Sequence, residues 1–371
     1  MDDSDSEGVV PEIEGCSYEY FYKYHLERNL PCIIKGVGRN WKATKLWAND
    51  NKPNFKYLRS EYAESVVTVY NCKEKYFNSH PTSEMKFEDY LNYWQKYSKA
   101  EDKSGMELLY LKDWHMKNEN KNDDFYEVPL YFSSDWLNEY LVAVGKDDYR
   151  FVYMGPLGSW TPLHKDVMNT FSWSVNICGY KKWLLLHPGE EKKLMDKSGK
   201  LPLSVDNLPE DIRHCYIIQQ PGDAIFVPSG WYHQVWNLKD TISINHNWIN
   251  VTSISRMENS LGIGLQDVQK EISHLSKEND FQAQCEAILR CDVGMNHEDF
   301  FEFIRFITLR RLRKYNTQQQ ETELENQMLK RDIEACQESL MQIFNHLNET
   351  QMDEAMNMCL QMSTIIFNKT R

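Results

Sequence analysis

The chain has 371 residues, of which 41% are hydrophobic and 13% aromatic, which is enough for one large domain with an appendage or for two domains. Its formal charge of −13 argues against nucleic acid as a partner, because phosphate binding requires clustered lysines and arginines. No apolar run approaches the length that spans a bilayer, so we expect no membrane segment.

Residues 1–148 mix signals for short strands and helices with polar loops. Short hydrophobic and β-branched runs predict three strands, at residues 30–36, 65–70 and 107–112. Apolar residues at helical spacing predict a helix over residues 87–94, with Thr82 or Ser83 in its N-cap region. The Asn-, Lys- and Asp-rich residues 117–124 are predicted to form an exposed loop. This region is therefore expected to be of the α/β type.

From residue 149 to residue 252 one strand signal follows another. Alternating or continuous apolar runs predict strands at residues 150–154, 171–177, 181–186 and 224–227. Gly179 and Tyr180 are read as a tight turn that returns the chain as a hairpin, and Pro221-Gly222-Asp223 as a second turn. Short strands at this density indicate a sandwich or a barrel rather than a parallel sheet.

Residues 253–371 are rich in helix formers and contain few glycines or prolines. Seven apolar residues recur at steps of mostly three or four and predict an amphipathic helix: Leu324, Met328, Ile333, Cys336, Leu340, Phe344 and Leu347. We expect the helices of this region to pack on one another or on the β-rich region. A homodimer interface is the alternative. The predicted organisation is thus 1–148, 149–252 and 253–371.

The nine cysteines are scattered along the chain without a Cys-x-x-Cys pair. The acidic start of the chain, Met1 to Gly8, lacks the basic and then apolar pattern of a secretory signal. Both features favour reduced thiols in the cytoplasm, with the nucleus as the alternative compartment. The lack of paired cysteines also argues against zinc-finger reader modules.

The sequence His164-Lys165-Asp166, together with His233, carries the strongest chemical signal. A His and an Asp two residues apart on a strand point to the same face, because strand side chains alternate between faces. A second His from another strand completes two imidazoles and one carboxylate. This set is the facial triad of non-haem Fe(II) oxygenases, which leaves positions open for a cosubstrate and dioxygen. The alternative for each residue is an ordinary hydrogen-bonded or surface group.

An iron centre of this kind needs an electron donor, commonly 2-oxoglutarate, whose distal carboxylate requires a cation held in place. Lys181 and Lys182 stand together at the start of a predicted strand. Alternation allows only one of the two to face inward. The pattern of the strand alone leaves open which one it is.

These residues together resemble the Jumonji C (JmjC) family of 2-oxoglutarate-dependent oxygenases. The resemblance covers about residues 17–250 and is strongest in residues 153–166, 171–183 and 221–233. It implies a double-stranded β-helix (cupin-like) core. The expected fold class is therefore mainly β with α: this core, N-terminal α/β elements and a C-terminal helical region.

The resemblance also implies a role for individual residues. His164, Asp166 and His233 are implied as the iron ligands. Lys181 follows Gly179 and Tyr180 as the family's cosubstrate lysine follows its own glycine, and this implies Lys181 as the anchor of 2-oxoglutarate. Four further residues are implied as neighbours of the cosubstrate: Thr161, Tyr110, Asn245 and Ser174.

Simpler interpretations exist for several of these side chains. Thr161 could be an ordinary strand or turn residue. Tyr110 could be a core aromatic residue whose hydroxyl group is hydrogen-bonded. The tryptophans of the β-rich region are predicted to pack around the barrel: Trp173, Trp183 and Trp231. Four residues are candidates for the substrate pocket beyond the iron: Lys112, Asp113, Trp114 and Tyr153.

For function, the resemblance is to the small JmjC hydroxylases, and it implies hydroxylation of a lysine side chain of the eukaryotic translation termination factor, with Fe(II), 2-oxoglutarate and dioxygen. One alternative is N-methyl-lysine demethylation, although many demethylases of the family carry His-x-Glu where this chain has His-x-Asp. The other is a non-catalytic cupin-like binding protein, or one that holds Zn²⁺ structurally. Three ligands with open positions favour catalysis over a closed four-ligand site.

Overall fold

A computed structural model describes residues 8–317 and 322–367. The acidic residues from Met1 to Glu7, which entered the argument against a secretory signal, lie outside this range. The chain forms two compact units. The first consists of the chain up to Ser133 together with Asp147–Asp166 and Phe171–Asn247, and the second of Ser134–Lys146, Val167–Thr170 and the chain from Trp248. The division of the sequence into three domains stays a prediction.

The described strands are numbered in chain order. They are β1 (Glu12–Ile13), β2 (Cys32–Ile34), β3 (Ala48–Asn49), β4 (Lys52–Pro53), β5 (Val66–Asn71), β6 (Thr82–Lys86), β7 (Leu109–Trp114), β8 (Arg150–Gly155), β9 (Trp160–His164), β10 (Phe171–Cys178), β11 (Lys181–Leu186), β12 (His214–Gln219), β13 (Ala224–Val227), β14 (His233–Asn237) and β15 (Thr241–Trp248). Every strand predicted from the sequence overlaps one of these.

The described helices are numbered in the same way. They are α1 (Tyr18–Phe21), α2 (Lys42–Leu46), α3 (Phe55–Tyr62), α4 (Phe87–Lys99), α5 (Met116–Glu119), α6 (Trp136–Ala143), α7 (Ile254–Glu271), α8 (Phe281–Val293), α9 (His297–Asn316), α10 (Glu323–Gln342) and α11 (Glu349–Phe367). A π-helical turn, Tyr22–Leu26, continues α1. In the described ranges, no helix combines the length and the hydropathy that crossing a bilayer requires.

The eight strands β8–β15 form the centre of the first unit. Four of them lie in a larger sheet in the order β13-β10-β15-β8, and four form a smaller sheet in the order β12-β11-β14-β9. Going along the chain, most connections between these strands pass from one sheet to the other. This is the arrangement of a double-stranded β-helix, and the predicted fold class is confirmed.

Strands from the N-terminal part of the chain extend the larger sheet to nine strands. The strands β1 and β2 add to it beside β13, and β7, β5 and β6 add to it beside β8. The pair β1–β2 is parallel, whereas β7 pairs antiparallel with β8. The N-terminal region therefore contributes strands to the same sheet as the central strands, and its helices lie between these strands in the sequence.

The two sheets share an apolar cluster in the first unit. Its buried side chains come from both sheets and include Ile225 and Val227 of β13, Leu185 of β11 and Val235 of β14. Trp231 packs in the same cluster, as the sequence predicts. Burial of this apolar surface from two facing sheets stabilises the core, at about 25 cal/mol per Å² removed from water.

The predicted hairpin at Gly179 is wrong. The strand β10 lies in the larger sheet, whereas β11 pairs with β12 and β14 in the smaller one. The turn between them therefore joins two sheets. Gly179 has φ +75°, and a Cβ atom there would lie 2.3 Å from the carbonyl oxygen of Asp240. Only glycine fits this left-handed and crowded position.

Two predictions of local structure in the N-terminal region need correction. Thr82 and Ser83 belong to strand β6, and helix α4 begins only at Phe87, after Lys86. The N-cap prediction is therefore wrong, although the helix itself is confirmed. The predicted loop at residues 117–124 begins inside the short helix α5. Hydroxyl residues suit both a cap and a strand, so the sequence could not separate the two.

The second unit is helical, as the sequence predicts for the C-terminal part of the chain. Helix α10 buries the predicted apolar residues Ile333, Cys336 and Leu340, and a capping box between Thr322 and Glu325 begins it. The helix ends at Gln342, so that Phe344 lies in a 3₁₀ turn and Leu347 follows it. The predicted continuation of one helix to Leu347 is wrong, because apolar spacing persists through the turn.

Candidate metal centre and its cavity

The two histidines of the predicted triad lie opposite each other on neighbouring strands. His164 ends β9 and His233 begins β14, and the two residues are direct partners in the antiparallel register. Their ring centroids are 4.3 Å apart. β9 ends at His164, so Asp166 lies just after the strand, and the prediction that both residues lie on one strand is wrong for Asp166. One ligand atom from each of the three side chains lies within 4.8 Å of the others, close enough for one metal ion.

Backbone carbonyls orient both imidazole rings in the same way. The Nδ1 atom of His164 lies 2.7 Å from the carbonyl oxygen of Pro162, and that of His233 lies 3.0 Å from the carbonyl oxygen of Trp231. A carbonyl can only accept, so Nδ1 carries the proton and donates in each ring. The Nε2 atoms are then unprotonated and available as metal ligands.

The carboxylate of Asp166 is oriented by a hydroxyl of the next strand. Ser172 Oγ, near the start of β10, donates to Asp166 Oδ2 over 2.7 Å. This hydrogen bond leaves Oδ1 with its lone pairs for a metal ion. Neutral imidazoles and an oriented carboxylate are the donor set that the family resemblance implies.

Burial keeps the first histidine of the triad neutral. Burial, and next the charge that His233 would carry, lower the pKa of His164 to about 4. The imidazole of His164 is therefore unprotonated at neutral pH even without a bound ion. A neutral ring is the form that binds a metal, so little proton release has to accompany binding.

A cavity opens beside the triad between the two sheets. Its volume is about 450 Å³, including the solvent at its mouth. All eight site residues predicted from the sequence line it: His164, Asp166, His233, Lys181, Thr161, Tyr110, Asn245 and Ser174. They come from six different strands and from the residues just after β9, so only the closed arrangement of the sheets brings them together.

Lys181 lies inside this cavity wall, whereas Lys182 does not. Lys181 is only 2% exposed, and its Nζ atom donates to Ser243 Oγ over 2.7 Å and to the Tyr110 hydroxyl over 3.5 Å. In the described parts of the chain, no carboxylate lies within ion-pair distance of it. The Nζ atom of Lys182, on the opposite face of the strand, lies 4.4 Å from the ring centroid of Tyr216.

The environment of Lys181 disfavours its charge. Burial lowers the pKa of the Lys181 ammonium to about 7. A buried ammonium without a counter-ion is costly, and an anionic ligand that entered the cavity would supply the missing partner. Ser174 offers a second unsatisfied group, since its buried Oγ has no hydrogen-bond partner within the described structure. The cavity residues therefore fit both a metal ion and a carboxylate ligand.

Sequence reasoning missed several residues of this site. Ser243 bonds both Lys181 and the side-chain amide of Asn245, and Ser172 bonds Asp166. Short hydroxyl residues on a strand carry no signal except their alternation, which places Ser243 on the same face as Asn245. Their partners could be identified only in three dimensions.

The predicted role of two tryptophans was incomplete. Trp173 and Trp183 line the cavity in addition to packing in the barrel, and the ring of Trp183 lies 5.8 Å from that of His233. Of the four candidates for the outer pocket, Tyr153 lines this cavity, whereas Lys112, Asp113 and Trp114 do not reach its wall.

A second group of possible metal ligands lies in the helical unit and is less suitable. Glu286, His297 and His346 have ligand atoms within 4.8 Å of one another. The two imidazole rings, however, stack in parallel, with centroids 3.9 Å and planes 10° apart. Imidazole lone pairs lie in the ring plane, so two parallel rings cannot both direct theirs at one ion.

Comparison with known proteins agrees with this geometry. Residues 18–254 match the family model of the cupin-like domain. The "2-oxoglutarate and iron-dependent oxygenase JMJD4 homolog" of Drosophila melanogaster is 44% identical over an alignment that covers 81% of this chain and 79% of that protein. The human "2-oxoglutarate and iron-dependent oxygenase JMJD4" is 42% identical, with 82% and 76% covered.

A plant protein with a different name is also similar. The "Arginine-specific demethylase JMJ20" of Arabidopsis thaliana is 36% identical, with 81% of this chain and 71% of that protein covered. Fold and site together define a cupin-like protein whose cavity carries two histidines and one carboxylate. The chain belongs to the JmjC family of 2-oxoglutarate- and iron-dependent oxygenases, in the group of the JMJD4 proteins. The resemblance read from the sequence is confirmed.

Proposed function

We propose that this chain is a 2-oxoglutarate- and Fe(II)-dependent protein hydroxylase in which His164, Asp166 and His233 bind the iron and Lys181 anchors 2-oxoglutarate. The observation that carries the proposal is the convergence, in one cavity, of three suitable ligand atoms and a buried lysine without a counter-ion. The names of its relatives support the same cofactors.

Iron and 2-oxoglutarate, when bound, supply the oxidising power to insert one oxygen atom of dioxygen into a substrate C–H bond. The residues of the chain supply binding and orientation. The carbonyls of Pro162 and Trp231 hold the Nε2 atoms of the two histidines free, and Ser172 orients Asp166. Three ligands on one side leave the other side open for exogenous groups.

The anchor of the cosubstrate is built from Lys181 and its neighbours. The Lys181 ammonium, held by Ser243, would pair with the distal carboxylate of 2-oxoglutarate, and the hydroxyls of Tyr110 and Thr161 would complete the hydrogen bonds of that carboxylate. All four residues are on strands rather than loops, so their positions are held by the sheets. Such an anchor would hold 2-oxoglutarate in one orientation within the cavity.

For the substrate, we propose a lysine side chain of the eukaryotic translation termination factor, to be hydroxylated on carbon. The His-x-Asp form of the triad and the resemblance to small JmjC hydroxylases support this choice. N-demethylation is the second candidate, and it is supported by the name of the 36% identical plant relative. Both reactions begin with hydroxylation and differ in whether the oxidised carbon is attached to nitrogen as a methyl group.

The test is the intact mass of recombinant termination factor after incubation with the enzyme, Fe(II), 2-oxoglutarate and ascorbate. We expect a gain of one oxygen atom that maps to a lysine and disappears with His164→Ala. The matched control is His274→Ala, which removes an exposed histidine of the helical unit and should leave the gain unchanged.

Other outcomes would redirect the assignment. Formaldehyde release from methylated arginine or lysine peptides, without a mass gain in the termination factor, would replace hydroxylation by demethylation. Absence of succinate formation with every substrate, in a protein that still binds a divalent metal, would support the non-catalytic alternative.

A further inference from the structure

Asp113 has an unusual backbone conformation beside the cavity. It is a non-glycine residue with φ +58°, in the left-handed region. It lies where the register between β7 and β8 shifts, between the pairs Leu111–Met154 and Trp114–Val152. Left-handed conformations are unfavourable for residues with a side chain, and they persist where the surrounding structure holds them in place. The bulge interrupts strand alternation and redirects the Asp113 side chain.

Two tyrosine hydroxyls hold the redirected carboxylate. The Tyr70 hydroxyl donates to Asp113 Oδ2 over 2.6 Å, and the Tyr153 hydroxyl donates to Oδ1 over 2.7 Å. The ring of Tyr153 lines the cavity that contains the triad and Lys181. The Asp113 carboxylate therefore lies one hydrogen bond behind the cavity wall, at a partly exposed position.

Among the described residues, this carboxylate makes no direct ion pair, although its charge opposes the lowering by burial of the pKa of the neighbouring Lys112 ammonium. Within residues 8–317 and 322–367, no lysine or arginine nitrogen lies within 4.0 Å of it. The neighbouring Lys112 is 6% exposed, and its Nζ atom packs on the ring of Tyr70, 4.1 Å from the centroid. A carboxylate has about four lone-pair positions, and the two tyrosines use two of them. Asp113 thus retains the capacity to accept from one more donor.

We propose that Asp113, with the rings of Tyr70 and Tyr153, receives the side-chain ammonium of the substrate lysine and so determines specificity for an unmodified amine. This inference rests on the proposed lysyl hydroxylase function. An ammonium is a compact cation with three donors, which suits a carboxylate flanked by aromatic rings. A trimethylated amine has no N–H to donate, so the same site would discriminate against it.

The charge of Lys112 allows a rival explanation. In that explanation Asp113 only balances the buried Lys112 ammonium, or only clamps the two tyrosines. Both explanations predict that loss of the carboxylate harms the enzyme. They differ in whether the harm depends on the amine of the substrate, and this difference can be measured directly.

The experiment measures the Kd of two peptides by calorimetry, with Mn(II) in place of iron and 2-oxoglutarate present. One peptide carries the target lysine of the termination factor, and the other carries norleucine there, which keeps the carbon chain and lacks the amine. The enzymes compared are wild type, Asp113→Asn and the control Glu84→Gln. Asparagine tolerates the left-handed backbone, and Glu84 is an exposed residue of β6 in the same sheet.

We expect wild type to bind the lysine peptide roughly 30-fold more tightly than the norleucine peptide, as for a hydrogen bond to a charged group. Asp113→Asn should reduce that ratio to about 3 or less, whereas Glu84→Gln should keep it. An unchanged ratio in Asp113→Asn would overturn the proposal. Recovery of the wild-type ratio in Lys112→Gln/Asp113→Asn would also overturn it, because Asp113 would then serve Lys112.

Failure of the underlying function is separately visible. Absence of an added oxygen atom on the lysine peptide with wild-type, iron-loaded enzyme would overturn lysyl hydroxylation before any variant is compared. Oxygen addition by wild type, combined with an equal loss of affinity of Asp113→Asn for both peptides, would keep lysyl hydroxylation and remove only the amine site.

Discussion

At the scale of single residues, His164 and His233 show how local backbone geometry prepares a metal site. Each ring donates from Nδ1 to the carbonyl oxygen two residues before it in the sequence. The contact is local in both cases, so it forms with the same short segment of chain that places the ring. Both rings therefore take the tautomer and the orientation that metal binding needs before a metal arrives.

Replacement of Asp166 by alanine should abolish turnover and leave the fold intact. The change removes one ligand and one hydrogen bond from Ser172, but no apolar core volume. We expect 2-oxoglutarate consumption to fall by at least about 100-fold, with bound iron reduced and Tm within about 2 °C of wild type. The control is Asp124→Ala, whose side chain is 88% exposed. Full turnover in Asp166→Ala would remove Asp166 from the ligand set.

Lys181→Met should raise the KM for 2-oxoglutarate. The variant retains most of the side-chain volume but cannot pair with a carboxylate. We expect an increase of about 10- to 100-fold, the cost of losing a charge-assisted hydrogen bond. Lys182→Met, on the opposite face of the same strand, should leave KM unchanged within about twofold. Equal effects of both substitutions would locate the anchor elsewhere in the cavity.

The KM for 2-oxoglutarate should also depend on pH through Lys181. Burial lowers the pKa of this ammonium to about 7 in the free protein, so it loses its proton as pH rises through 7. The carboxylates of 2-oxoglutarate stay ionised, so KM should be constant below pH 7 and rise up to about tenfold per unit above it. Steady-state kinetics from pH 6 to 9 test this, and Lys181→Met should show no such rise.

At the scale of elements, the connection between β10 and β11 decides where the cosubstrate anchor lies. The chain leaves the larger sheet at Cys178 and enters the smaller sheet at Lys181, within a turn of two residues. Because the turn crosses between sheets, the first residue of β11 is already buried in the cavity wall. A hairpin would instead have placed β11 beside β10 in the same sheet.

Gly179→Ala tests this turn. The added Cβ atom would meet the carbonyl oxygen of Asp240 at 2.3 Å, at a backbone φ of +75°. We expect a loss of about 1–3 kcal/mol in the free energy of unfolding, together with a raised KM for 2-oxoglutarate because Lys181 is displaced. Gly199→Ala is the control, since Gly199 also has positive φ but nothing within 4 Å of the added atom. Equal destabilisation by Gly179→Ala and Gly199→Ala would show that the positive φ alone, and not the close contact with Asp240 at the crossing between sheets, causes the loss of stability.

At the scale of the whole molecule, a buried cation of the second unit contacts two other parts of the chain. Arg311 of α9 donates to Glu139 of α6 over 2.9 and 3.0 Å and to Asp332 of α10 over 2.7 Å. Burial raises the pKa of Asp332, and the Arg311 guanidinium opposes that rise. The side chain of Arg311 therefore stabilises two carboxylates that would otherwise be poorly solvated.

Arg311→Met should destabilise the helical unit. Loss of one member of a buried ion-pair network leaves its partners uncompensated, at a cost of about 3–5 kcal/mol. Arg310→Met, which removes a 53% exposed partner of Glu139, should cost less than about 1 kcal/mol. Chemical denaturation followed by the helical circular dichroism signal measures both. Similar losses in the two variants would contradict a special role for the buried arginine.

Much of the fold and of the site was accessible from the pattern of the sequence. Alternating apolar residues predict the strands β10 and β11, and helical spacing predicts α10, because burial of one face leaves a period in the sequence. The two-residue step from His164 to Asp166 predicts a shared face for the same reason. The family resemblance added the choice between Lys181 and Lys182.

The tertiary structure alone decided which partners these faces meet. Periodicity reports that a face is buried but not in which sheet it lies, so it predicts a hairpin at Gly179, where the chain crosses between sheets. It also predicts a helix that continues to Leu347, beyond the end of α10 at Gln342. Ser172 and Ser243 became part of the site only because other strands place Asp166 and Lys181 beside them. Asp113 is the clearest case, since its register shift breaks the alternation from which strand faces are inferred. The sequence by itself thus determined that these strands and helices each bury one face, and chain topology determined what that face contacts, because contacts between distant segments leave no local period.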